Sequence, residues 1–332
     1  MKHPTNNITR RVAVMGCKHT TRELISGLEG FGFGIDHCIT ISQKKAQEQK
    51  VAGYMDLKPF LEKKSIPCTI ANTYSLNSDK DKELLGLNLD MVLVMGWQRL
   101  LPDWFLKSLS IGAFGMHGSS RPLPYGRGRS PMNWSLIQGK DLFYTHLFKY
   151  EPGADNGPIV DVQTFDINLF DTCLTLHFKN TISMVRLCAK NLPSLLDGRA
   201  KLTPQQSENA TYYPKRSEED GLIYWEDSTD DIYNLIRAVT KPFPGAFSYL
   251  DNEPNKKVHI WRAQPFDTKL AYADSKPGEI VEVFYNGMFA VKTIDSTILV
   301  TESEGHNFTV NDIGKILGHL NIPRKKWENL PE

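Results

Sequence analysis

The sequence predicts an α/β protein in two parts: a larger N-terminal domain built on parallel strands, then a smaller β-rich domain forming a small barrel or open sheet. Three observations predict this. Short runs rich in Val and Ile alternate with helical or polar stretches through the first half of the chain, the pattern of buried parallel strands joined by crossovers. A polar segment after Gly198 interrupts that rhythm and reads as a linker. Beyond Val258 the apolar runs are short and separated by turn pairs, with no helical spacing between them.

The elements follow in order. Arg11 to Met15 reads as a strand ending at Gly16, and Thr20 to Leu28 has helical spacing that puts Leu24, Ile25 and Leu28 on one face. Ile35 to Ile41, Ile66 to Ile70, Met91 to Met95 and Gly112 to Met116 read as further strands. Tyr144 to Tyr150 alternates like a strand with one solvated face, and Leu174 to Leu196 is helical. Lys201 to Ala210, with Pro204, Gln205, Gln206, Ser207, Glu208 and Asn209, is the linker, so the domains are expected over residues 1–205 and 212–320. In the second, Ile232, Leu235, Ile236 and Val239 mark a helix from Asp230 to Val239. Strands are expected at Val258 to Ala263, Gly278 to Tyr285, Phe289 to Thr293 and Ile298 to Thr301, with turns at Pro277-Gly278 and Asn286-Gly287.

Composition narrows the function classes. A chain of 332 residues, 40% hydrophobic, is long enough for one large core and a smaller satellite. Its 39 Lys and Arg against 38 Asp and Glu leave a formal charge of +1, so no global basic field holds a polyanion, and a small substrate fits better than a nucleic acid. The five cysteines, Cys17, Cys38, Cys68, Cys173 and Cys188, are scattered without metal-site or redox spacing and read as reduced thiols. With no long apolar run, the protein is expected to be soluble and cytoplasmic, without membrane association. The loop after the first strand, Gly16 to Thr21, lacks the GxGxxG pattern, which disfavours nicotinamide or flavin binding.

The chemistry-bearing stretch runs from Gly112 to Trp134. A His directly after a parallel strand sits at the carboxyl end of the sheet, where open α/β folds place ligands, so His117 is a candidate general base. Gly118 and Ser119 leave room beside the imidazole, and the turn Gly126-Arg127-Gly128-Arg129 offers amides and guanidinium forks to a phosphate. Downstream, Glu151-Pro-Gly-Ala-Asp-Asn-Gly-Pro158 presents Asp155 as a carboxylate partner. Taken singly these signals are weak. A lone His is more often structural, and an Asp between two glycines ordinarily satisfies loop amides.

In combination, His-Gly-Ser, Leu-Pro, Arg-Gly-Arg, Ser-Pro and Met-Asn-Trp, followed by Gly-Ala-Asp-Asn-Gly, resemble the formyltetrahydrofolate-dependent formyltransferases, closest to the branch acting on nucleotide-linked amino sugars such as UDP-4-amino-4-deoxyarabinose. Pro214 to Trp225, Ile236 to Tyr249 and Val258 to Trp261 extend the resemblance through that branch's linker and C-terminal barrel, so it covers about Val12 to Thr301. It implies a Rossmann-like formyltransferase domain with an OB-like β-barrel domain. It also implies N10-formyltetrahydrofolate as co-substrate, no metal, a nucleotide-linked amino sugar as acceptor and a homodimer.

By the same resemblance, His117 and Asp155 are the catalytic pair. The family's third catalytic residue, an Asn two positions before the His, falls on Gly115, which has no side chain to hold a developing oxyanion. Loss of one such donor costs about 10² to 10³ in rate. A substitute donor among Ser119, Ser120 and Asn133, a water in the vacated space, or a slow or inactive enzyme are the three readings. The segment from His117 to Pro124 is also slightly longer than in relatives. The folate is expected against Met95, Gly96, Trp97, Gln98, Arg99, Leu100 and Leu101, and against Gly153 and Ala154, with Trp97 serving as either a core aromatic or a pocket wall. The sugar nucleotide is expected across Gly118, Ser119, Arg127, Arg129 and Asn133. Two rivals stand beside this reading: formylation of methionyl-tRNA on the same fold, and a folate or sugar-nucleotide binding protein without turnover.

Overall fold

The computed structural model describes residues 10–270 and 272–325. In the N-terminal domain, β1 (Val12–Met15), α1 (His19–Gly30), β2 (His37–Thr40), α2 (Gln43–Glu48), α3 (Lys58–Lys63), β3 (Cys68–Ile70), β4 (Met91–Val94), α4 (Asp103–Ser108) and β5 (Gly112–Ser119) come first. Then follow β6 (Arg127–Gly128), α5 (Pro131–Ile137), β7 (Leu142–Lys149), β8 (Ile159–Asp166) and the long α6 (Cys173–Leu196). After β9 (Tyr212–Tyr213) come α7 (Thr229–Val239), β10 (Ala246–Leu250), β11 (Lys257–Pro265), β12 (Ile280–Val283), β13 (Phe289–Lys292), β14 (Thr297–Glu304) and β15 (Leu317–Gly318).

The first sheet has the order β3-β2-β1-β4-β5-β7-β8. Its first five strands are parallel, as the Val and Ile runs predict, and each of β1, β2 and β4 is buried on both faces. Val12, Val14 and Leu93 pack with Leu24 and Leu28 of α1 and Leu187 of α6 on one side. On the other side Ala13, Met15, Val92 and Val94 pack with Tyr74, Trp97 and Phe105. The last two strands run antiparallel. β5 therefore does not end at Met116. It continues to Ser119 because β7 supplies an antiparallel ladder from Phe114 opposite Lys149 to Ser119 opposite Tyr144. His117 lies within the strand, beyond the point where β4 stops pairing with it, rather than directly after it. The solvated face expected on β7 is also missing. Thr145, His146, Leu147 and Phe148 are all buried, since α6 packs on this strand and Leu123 N donates to His146 Nε2 at 3.0 Å from the opposite side.

The second sheet is antiparallel, in the order β12-β13-β14-β11-β10-β15. Its edges approach one another: Leu317 N donates to Gly278 O at 2.8 Å and Ile280 N to Lys315 O at 2.9 Å, while β15 pairs with β10. The OB-like barrel expected from the sequence is thus a six-stranded sheet curled on itself. One apolar core joins the two domains, with Met132, Leu136, Phe143 and Leu176 packed in the same cluster as Trp225, Ile232, Ile236 and Phe289.

The linker is not a free tether. Gln205 within it is hydrogen-bonded to Asp155 O and Gly157 O, and directly after it Thr211 Oγ1 accepts from Gly126 N at 2.9 Å and β9 pairs in parallel with β6. Among the described residues no helix is long and apolar enough to cross a membrane.

Candidate active site

Strands are added in one direction from β1 to β3 and in the other from β4 onward, so the switch point falls between the parallel strands β1 and β4, whose carboxyl ends lie side by side. Cys17 N donates to Gly96 O at 3.3 Å. A crevice at that position is where open α/β sheets hold ligands. His117 of β5 and the 151–157 loop after β7 flank it.

His117 is 8% exposed and both its ring nitrogens face protein groups. Nε2 lies 2.7 Å from Gly126 O and Nδ1 lies 3.4 Å from Asp155 Oδ2. A carbonyl oxygen only accepts, so Nε2 carries a proton and the lone pair of the neutral ring is on Nδ1, toward the carboxylate. Asp155 Oδ2 also accepts from Gly128 N at 3.0 Å, and Oδ1 has no hydrogen-bond partner among the described residues. The aspartate sits in the left-handed region, φ +52°, a conformation a non-glycine residue adopts only when its surroundings hold it there.

Those surroundings come from the Gly126-Arg127-Gly128 turn and the linker. Arg127 is 2% exposed, so it does not face a ligand as the sequence reading expected. Its Nη2 and Nε donate to Gln205 Oε1 at 2.7 and 3.2 Å. Gln205 Nε2 in turn donates to Asp155 O at 2.9 Å and Gly157 O at 2.7 Å. The turn that reads as a phosphate cradle is the frame of the His117–Asp155 pair, holding His117 through Gly126 O and Asp155 through Gly128 N. Truncation of this frame in a Gln205→Ala variant is expected to lower kcat by up to about 10²-fold, the cost of displacing a reacting group by roughly 1 Å, with KM changing much less. Steady-state kinetics on the folded variant check this.

The other site residues divide. Gly118 points away from His117, and the space its missing side chain leaves is filled by Phe143. Ser119 Oγ donates to Tyr125 O, Ser120 Oγ bonds Tyr213 OH at 2.6 Å, and Asn133 Nδ2 donates to Ala238 O at 2.7 Å, tying α5 to α7. All three polar groups that could stand in for a side chain at Gly115 are committed elsewhere. Arg129 is exposed at the crevice, close enough to Lys18 to disfavour its charge. On the folate side, Met95 is buried under Gly96, while Gln98, Arg99 and Leu100 are exposed and Leu101 is buried. Trp97 is 6% exposed with its ring 4.7 Å from Tyr74, whose hydroxyl accepts from Gln98 N at 2.8 Å. Gly153 and Ala154 are exposed beside Asp155.

Two residues escaped the sequence reading. Tyr150, at the end of β7, lays its ring over Gly115, where the tip occupies the space a side chain at 115 would need. His146 pairs with His117 across the ladder, and its Nδ1 donates to His117 O at 3.2 Å. Burial pushes His146 down to about 4. The unfolded chain therefore binds more protons than the folded one between the ordinary value of 6.5 and about 4, and the stabilisation present above that window is lost as pH falls through it. The expected loss is about 2 kcal/mol between about pH 7 and pH 5, read as a falling urea midpoint, and a His146→Gln variant is expected to flatten it.

An imidazole and a carboxylate thus face each other beside the switch-point crevice, the place where open α/β sheets hold ligands. Comparison with known proteins gives the family. The Formyl transferase profile matches residues 10–181 and the Formyl transferase C-terminal domain profile matches residues 215–311. This chain belongs to the formyl transferase family. Among solved structures of similar fold is an N-formyltransferase from Helicobacter canadensis, solved with folinic acid and dTDP-3-aminofucose. It is 16% identical with a TM-score of 0.63, covering 89% of this chain and 100% of that one. WlaRD, a sugar 3N-formyl transferase solved with dTDP and 5-N-formyl-THF, is 15% identical with a TM-score of 0.63, covering 90% of this chain and 98% of that one. HypX from Aquifex aeolicus in complex with tetrahydrofolic acid is 17% identical with a TM-score of 0.62, covering 89% of this chain. This chain spans 44% of the HypX chain.

Proposed function

We propose that this protein transfers the formyl group of N10-formyltetrahydrofolate to the primary amine of a nucleotide-linked amino sugar. The observation that carries the reading is the His117–Asp155 pair, framed at the crevice of a chain of the formyl transferase family.

The residues present fit a folate. The loop after β4 offers main-chain groups and the exposed apolar Leu100, and the buried indole Nε1 of Trp97 has no hydrogen-bond partner among the described residues. An anionic acceptor is favoured by Lys18 and Arg129. Burial, with a contribution from Arg129, holds the Lys18 ammonium below its ordinary value, and neither side chain has a carboxylate partner among the described residues. A diphosphate bridging the two would relieve both. The sugar N-formyltransferases of similar fold were solved with dTDP or a dTDP-linked amino sugar, which supports the same acceptor class.

The reaction joins the amine nitrogen to the formyl carbon and breaks the bond from that carbon to N10. The amine must shed a proton as the new bond forms, and N10 must gain one as it leaves. The His117–Asp155 unit is the store for that proton. With Nε2 held by Gly126 O, the proton enters at the carboxylate, whose Oδ1 has no hydrogen-bond partner among the described residues, and is shared with Nδ1 through Oδ2. Holding the two substrates in line supplies much of the remaining acceleration.

A panel of UDP-, dTDP- and CMP-linked amino sugars, assayed with N10-formyltetrahydrofolate, tests the reading. Formylation of one sugar nucleotide supports it. Formylation of methionyl-tRNA in place of every sugar would move the assignment to that rival, and folate binding without transfer would move it to a binding protein.

A further inference from the structure

We propose that Tyr150 is a catalytic residue, donating its hydroxyl proton as a hydrogen bond to the formyl oxygen in the position that a side chain at Gly115 would otherwise occupy. The inference deepens the formyl-transfer reading and rests on it.

Register places the ring. Tyr150 N donates to Ala113 O at 2.8 Å, one step beyond the pair of Gly115 with Phe148, and in an antiparallel ladder residues directly opposite share a face. Ala113, Gly115 and His117 therefore lie on the same side of the sheet as Tyr150, Phe148 and His146. Phe148 stacks on the Tyr150 ring with centroids 5.2 Å apart and fixes its plane. The hydroxyl then lies 2.5 Å, and the adjoining ring carbon 2.6 Å, from the point where a Cβ on residue 115 would be. Glycine is the residue that lets this ring come down, since any Cβ would collide with it.

The hydroxyl is placed to act on a ligand. Among the described residues it has no hydrogen-bond partner, and the alternative donors named from the sequence, Ser119, Ser120 and Asn133, all bond to protein groups. Burial, then the charge of Asp155, pushes the phenol up, so it stays in its protonated, donating form. One face of the sheet therefore carries a proton acceptor, the His117–Asp155 unit, and a proton donor, Tyr150. As the amine nitrogen bonds to the formyl carbon, the carbonyl electron pair moves onto oxygen, where the phenol holds it by hydrogen bonding without giving up its proton. When the C–N10 bond breaks, the pair returns and the proton stored on His117–Asp155 passes to N10.

The experiment compares wild type, Tyr150→Phe and the double variant Gly115→Asn with Tyr150→Ala. It measures formyl transfer to the acceptor, affinity for N10-formyltetrahydrofolate, and the carbonyl stretch of the bound carbon-13-labelled formyl group. Tyr150→Phe keeps the ring over Gly115 and removes only the donor. It is expected to lower kcat by about 10² to 10³ with donor affinity within about twofold, and to abolish the downshift of the bound carbonyl stretch. The double variant is expected to recover part of the rate, because an amide then enters the space the ring leaves. A Tyr150→Phe variant with wild-type kcat and an unshifted stretch relative to wild type would overturn this inference while leaving formyl transfer intact. The stretch is readable without turnover, so absence of transfer in wild type would count against the formyl-transfer reading and leave the hydrogen bond separately tested. Wild type that does not bind the donor would overturn both.

Discussion

Asp155→Asn is expected to lower kcat by about 10⁴ while leaving the fold and folate affinity nearly unchanged, by analogy with the loss seen when the carboxylate of a hydrolase triad becomes an amide. The size of the effect follows from how Oδ2 is used. That one atom faces His117 Nδ1 at 3.4 Å and accepts from Gly128 N at 3.0 Å. Because Nε2 is committed to Gly126 O, the neutral ring turns its lone pair toward Asp155. An asparagine there meets two incompatible demands. With its NH₂ toward Nδ1 it caps the base and sets a donor against Gly128 N–H. With its oxygen there it faces the Nδ1 lone pair as the carboxylate does, but an amide oxygen is too weak a base to store the proton. Neither arrangement changes side-chain volume, so thermal unfolding separates lost chemistry from lost structure. A variant with more than a tenth of wild-type kcat would show that the carboxylate is only a loop anchor.

The second large effect is expected at Gly157. A Cβ there would overlap the main-chain oxygen of Lys149, across the narrow base of the loop that carries Asp155. Backbone cannot yield as a flexible side-chain tip can, so in Gly157→Ala the loop must move. Gly157 O is also one of the two carbonyls that Gln205 holds, and the shift therefore reaches the Asp155 main chain directly. A displacement of about 1 Å is expected to cost about 10² in kcat, with stability falling by roughly 1–3 kcal/mol from overpacking. Kinetics and urea unfolding of the same preparation measure both. Activity within twofold of wild type would mean that Asp155 tolerates movement and that the frame described here does not position it.

Much of this architecture is legible in the sequence, for a physical reason. Strands β1, β2 and β4 are buried on both faces, so their Val and Ile runs announce them without any partner being known, and α1 shows its buried stripe directly. What depends on a distant partner does not read out. The continuation of β5 to Ser119 is set by β7, and the burial of His146 by the 120–126 loop. β8 carries an alternation in Val160-Asp-Val-Gln that marks it in the sequence, whereas β10 is a short run inside the Ile236 to Tyr249 stretch without a pattern of its own. At the site, His117 and Asp155 were identified by motif order and the structure brings them together. Arg127 shows its donors in the sequence but not that Gln205, 78 residues away, takes them. Asn133 is likewise claimed by Ala238 across the domain boundary. Tyr150 could be seen only as a strand end, because its position over Gly115 follows from the register of two strands and from the absence of one Cβ.

The most direct test of formyl transfer is the release of tetrahydrofolate from N10-formyltetrahydrofolate, measured with and without acceptor in wild type and His117→Ala. Release that requires a nucleotide-linked amino sugar, matches the formamide formed mole for mole and disappears in His117→Ala is the expected result. Release that is independent of any amine acceptor, or that survives loss of the imidazole at the wild-type rate, would contradict the account.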